Sequence, residues 1–170
     1  MDTKLEIPQF DWFERYKLSN HAAWSSFIGT HTTVKKIWGE EGFKKFDNEY
    51  RKAAFHPVGQ KLVEKLNLEP NIEGVLKVAG AYTQEVWGYG DSRFVEIVKN
   101  GPNKGTLRIS VCRGYEKWHK NTGVDCGYAC DSEYRAVTSA LSPNVKVTLI
   151  KAHPWGDDHC EFVFEIPSDD

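Results

Sequence analysis

The chain changes its hydrophobic period near its middle. From His21 to Trp38 the apolar positions Ala23, Trp24, Phe27, Ile28, Val34, Ile37 and Trp38 recur at intervals of three and four. That spacing predicts one helical face, with Asn20 as its N-cap and Gly39 as its end. Phe43, Phe46, Tyr50 and Ala54 predict a second helix that stops before His56-Pro57, because the residue ahead of a proline is pushed out of the helical region. Val58, Leu62, Val63 and Leu66 predict a short third helix. After a loop at Asn67 to Pro70, Ile72, Val75, Leu76, Ala79, Tyr82, Thr83 and Val86 form the clearest helical stripe of the chain, closed by Gly88-Tyr89-Gly90.

Beyond Gly90 the period falls to two. Leu107, Ile109 and Val111 alternate with Arg108 and Ser110, as in a half-buried strand, and Phe94 to Lys99 pairs with them across the turn formers Asn100 to Gly105. Val145, Val147 and Leu149, then Cys160, Phe162, Phe164 and Ile166, predict a second hairpin around Pro154-Trp155-Gly156-Asp157-Asp158. Between the hairpins lies a loop with Gly and Cys, followed by a short helix with Tyr134, Val137, Thr138 and Leu141, capped by Asp131 or Ser132. The expected architecture is α+β: N-terminal helices packed on a four-stranded antiparallel sheet. A length of 170 residues fits one domain, mainly helical over 1–90 and mainly sheet over 91–168.

Charge and composition narrow the partners. Lys and Arg number 22 against 24 Asp and Glu, so no basic excess marks a nucleic-acid or acidic-lipid surface. No apolar run approaches the roughly 20 residues of a membrane span, and the first ten residues lack a secretory pattern, so a cytoplasmic location is expected. A partner other than a small molecule is not required, and a homodimer is left open. No glycine-rich dinucleotide or phosphate loop, nucleophile elbow or His-Glu-x-x-His occurs.

The four cysteines, Cys112, Cys126, Cys130 and Cys160, all fall in the sheet half. Their spacing is not that of a zinc ribbon, and no metal or cofactor is expected. Cys160 shares strand parity with Phe162 and Phe164 and reads as packed, whereas Cys112 is out of phase with Leu107 and Ile109 and points away from the core. Cys130, just before the expected cap Asp131, would gain from a helix N-terminus, although the Asp131 carboxylate opposes a thiolate there. His153 and His159 flank the last turn and are the acid or base candidates, while His21 and His31 read as core edge or solvent. Asp157-Asp158 reads first as a turn.

The segments Arg108-Ile109-Ser110-Val111-Cys112, Cys126 to Asp131 and Gly156-Asp157-Asp158-His159-Cys160-Glu161-Phe162 resemble the family of L-2-amino-thiazoline-4-carboxylic acid hydrolases. More distantly they resemble vinyl-reductase-like (4VR) ligand-binding domains. The resemblance spans residues 20 to 166 and implies a bowl-shaped α+β domain with a small-molecule pocket between helices and sheet, which hydrolyses a cyclic amidine-like C–N bond. In that reading Cys130 or Cys112 attacks, His153 or His159 protonates the leaving group and Asp131 orients. Arg108 or Arg113 pairs with a substrate carboxylate, and Trp24, Trp118 and Trp155 line the pocket. The zinc that several 4VR domains hold would need ligands where this chain has Leu149 and Ala152, so zinc is not expected. The rival reading is a non-catalytic domain that binds or senses an apolar ligand.

Overall fold

The computed structural model describes residues 11–86, 94–112 and 126–168. Helix α1 runs Trp12–Leu66 and begins at Asp11, whose side chain accepts from the Glu14 amide while the Glu14 side chain accepts from the Asp11 amide. This reciprocal cap, not Asn20, starts the helix. The apolar stripe missed the true start because residues 11–19 lie exposed, with nothing to bury. Gly39 breaks the helical path as expected, at φ 70° and ψ −172°, a conformation that disfavours any side chain. The halves on either side fold back on each other, so that His31 meets Phe43, Phe46, Asp47 and Tyr50.

Pro57 does not end the helix. A proline inside a helix costs about 3 kcal/mol, yet the stretch around it is clamped against a later helix. A Cβ added at Gly59 would sit 2.0 Å from the Val137 carbonyl oxygen, so the two backbones are nearly in contact. The second and third expected helices are therefore one. Helix α2 spans Ile72–Ala81, capped by Asn71, and widens into a π-turn at Tyr82–Val86 that keeps Tyr82 and Thr83 buried.

Strands β1 (Val95–Lys99), β2 (Lys104–Ile109), β3 (Lys146–Lys151) and β4 (Cys160–Glu165) form one antiparallel sheet in the order β1-β2-β4-β3. Both expected hairpins are present, joined through β2 and β4 with Leu107 opposite Phe162 and Ile109 opposite Cys160. These residues, with Phe164 and Val147, face Ile72, Val75, Leu76, Val78 and Ala79 of α2. Each fully buried side chain of that size contributes about 2 kcal/mol. The class is α+β. β2 ends at Ile109, so Val111 and Cys112 lie past the strand and the parity expected for Cys112 does not apply.

Helix α3 covers Cys126–Thr138, more than a turn ahead of the start expected at Asp131 or Ser132. Cys130 and Asp131 thus stand in its second turn, beyond the reach of the dipole at its first. The apolar stripe is visible only from Tyr134 onward because the buried positions just before it, Ser132 and Glu133, are polar. No described helix is long and apolar enough to cross a membrane.

Candidate functional site

Polar groups are buried where α1, the π-turn and α3 meet. His31 is fully buried and its ring nitrogens both meet acceptors, the Phe27 carbonyl at 2.7 Å and Asp47 Oδ1 at 2.6 Å. The ring is thus fixed at both nitrogens, between α1's own backbone and the Asp47 carboxylate. Arg51 Nε donates to both Asp47 oxygens, at 2.9 and 2.8 Å, and Arg51 Nη1 to Glu133 Oε2 at 2.5 Å. Tyr82 donates its hydroxyl to the other Glu133 oxygen, and Ser132 donates to Asp47 at 3.3 Å. The Arg51 guanidinium thus bridges two buried carboxylates, Asp47 and Glu133. Burial pushes the Asp47 carboxyl up, but bonds and charge from His31 and Arg51 outweigh it and hold the group below its usual range.

One thiol stands beside this cluster. Cys130 is half-buried and packs against the main core, one turn before Glu133 on the same helix face. It lies close enough to couple to Arg51, whose guanidinium is disfavoured by burial but held cationic by Glu133 and then Asp47. Burial pushes the Cys160 thiol up to about 12, and the nearby Cys112 and Cys130 add to the effect. The backbone amide of His153 opposes that shift. Three sulfurs and the backbone of one expected histidine position thus share an end of the sheet.

The other candidates fall elsewhere. Arg108 points from the opposite face of the sheet, where it donates to Glu161 at 2.9 Å and lies 3.6 Å from Glu96. His159 belongs to that face too, between Asp158 at 2.5 Å and Glu161 at 3.0 Å. Bonds from Glu161 and then Asp158 raise its pKa. The sheet separates both residues from the Cys130 and Cys160 side. Asp131 pairs with Arg135, and burial pushes its carboxyl up against the pull of Arg135. His153 donates from Nδ1 to the Asp157 carbonyl at 3.2 Å, and Asp157 accepts the Ala152 amide at 2.8 Å, so this segment is first a turn. Trp155 is 56% exposed. Arg113 and Trp118 lie outside the described residues, as do the side chains of Trp24 and Cys126.

Sequence reasoning missed Arg51, Asp47, Glu133 and Tyr82 and placed His31 at an edge. Arg51 and Glu133 are far apart in sequence, and nothing in helical periodicity marks a charged residue as buried. The one available signal was position: Asp47 and Arg51 stand four apart on the face of Phe43 and Tyr50. Among the described residues no group of three His, Cys, Asp or Glu side chains forms a metal site. A groove of about 370 Å³ lies between α2 and β1, lined by Leu66, Leu68, Gly80, Ala81, Val95 and Ile97, with Lys77 and Gln84.

No family model matches the chain, and no curated protein does. Its fold is similar to that of trafficking protein particle complex subunit 3 from Naegleria fowleri, in a crystal structure of that protein covalently bound to palmitic acid. The TM-score is 0.58 at 9% identity, over 89% of this chain and 97% of that one. At that identity the likeness is one of fold alone.

Proposed function

We propose that the chain is a hydrolase of a small heterocyclic or amidine-like C–N bond, with Cys130 as its nucleophile. One observation carries this reading: the Cys130 thiol stands one turn from Glu133, in the field of a buried arginine that Glu133 itself holds at 2.5 Å. A thiol is a weak nucleophile until a cation or base activates it, and both are present. The thiol proton passes to Glu133 and sulfur bonds to the substrate carbon. The C–N bond then breaks as nitrogen takes that proton, and water releases the product and restores the thiol. Glu133 takes the acid–base role expected of His153 or His159, since His159 faces the other side of the sheet and His153 is bonded into its own turn at the Asp157 carbonyl.

The test uses purified protein and its Cys130→Ser and Cys112→Ser variants with 2-amino-thiazoline-4-carboxylate and thiazolidin-2-one. Loss of turnover by roughly a thousandfold in Cys130→Ser alone supports the reading. Full turnover in that variant overturns it.

A second reading is a carrier of an apolar ligand, favoured by the α2–β1 groove and by the palmitic acid of the structural neighbour. Uptake of a fatty acid without turnover of either heterocycle selects it.

A further inference from the structure

The guanidinium of Arg51 is only partly used. Nε and Nη1 are fixed by Asp47 and Glu133, while Nη2 is buried with no hydrogen-bond partner among the described residues. The side chain is 1% exposed, so bulk solvent does not reach that nitrogen. A buried donor without an acceptor costs about 1–3 kcal/mol, and such a group is retained where something else completes it.

Charge decides what completes it. Arg51 already faces two carboxylates, Asp47 and Glu133, so a ligand carboxylate would add a third buried anion to a guanidinium that is already matched. Desolvating that charge costs several kcal/mol. A neutral acceptor adds a hydrogen bond and no net charge.

We propose that Arg51 Nη2 is the substrate-anchoring donor of this site, and that it takes a neutral, double-bonded acceptor: the carbonyl oxygen or imine nitrogen on the carbon that Cys130 attacks. The inference deepens the hydrolase reading and rests on it for the reacting carbon. When sulfur bonds to that carbon, the π pair moves onto the acceptor atom and negative charge grows against a guanidinium already in place. When the C–N bond breaks, the pair returns to re-form the double bond. A substrate carboxylate, if the ligand carries one, lies away from Arg51.

The experiment compares thiazolidin-2-one with thiazolidine, the same ring without the double-bonded oxygen, at pH 8 by titration calorimetry. The proteins are Cys130→Ser and the double variant Cys130→Ser/Arg51→Lys, both checked for folding by circular dichroism. Lysine keeps the positive charge between Asp47 and Glu133 but has no Nη2. The expected result is a preference for the carbonyl ring of about tenfold or more in Cys130→Ser, falling to near one in the double variant. Should the double variant not fold, 15N-arginine-labelled native protein gives the same answer: thiazolidin-2-one shifts the Arg51 Nη2 resonance and thiazolidine does not. An undiminished preference in a folded double variant, or an unmoved resonance, overturns the inference. Arg51-dependent preference in a protein that turns over no substrate leaves the inference standing and removes the hydrolase reading instead.

Discussion

Asp47 accepts from His31, Arg51 and Ser132 at once, and all four side chains are buried. Because its carboxyl is held below the usual range, the stability it contributes is fully present above the unfolded value, about 3.9. That stability disappears as pH falls through the lower folded value. Urea midpoints should therefore drop between pH 5 and pH 3, and Asp47→Asn should flatten that part of the curve while costing about 3 kcal/mol at pH 7 by breaking the buried pair with Arg51. An unchanged slope below pH 4 would refute the assignment. His159 behaves in the opposite sense. Its raised pKa means that any stability it lends is present below the ordinary imidazole range and lost as pH rises through the raised value. NMR titration should find the imidazole protonated above that range, and Glu161→Gln should bring its midpoint down. Of these residues the sequence made His159 and Glu161 visible, as part of a turn and an alternating strand. Arg51 and Glu133 were not visible, because burial of a charge depends on a partner from a distant helix that no local pattern records.

At the scale of elements, the seam of α1 and α3 depends on a missing side chain. Gly59→Ala would drive a methyl into the Val137 backbone, where neither helix yields by rotating a side chain. The melting temperature should fall by an amount corresponding to about 3 kcal/mol, whereas an alanine at Gly29, with nothing within 4 Å of its added Cβ, should change little. Equal melting temperatures for the two variants would mean that the helices are further apart. The strands and both hairpins were legible because alternation and turn residues act locally. The helix boundaries were not. Asp11 caps through a pair of side chains rather than a stripe, and Pro57 is overridden by packing with α3. The shifted start of α3 also changes the chemistry assigned to Cys130: activation falls to Arg51 rather than to a helix end.

Across the whole molecule, the sheet divides two sets of polar residues. Arg108, Glu161 and His159 occupy one face, and the thiols with Arg51 and Glu133 the other. Arg108→Gln should accordingly leave turnover within about threefold of native while abolishing the ion pairs with Glu96 and Glu161. A large loss would place the reaction on the wrong side of the sheet in this account. The α+β class followed from the change of hydrophobic period alone, but which face would carry the proposed chemistry followed only from the register that sets Ile109 opposite Cys160. The most direct measurement is alkylation of the native protein by limiting iodoacetamide at pH 8, with peptide masses and remaining turnover read from the same samples. Cys160, whose thiol sits near 12, should stay unlabelled, Cys130 should take up the label first, and turnover should fall in step with it. Full turnover with Cys130 completely alkylated would contradict the account.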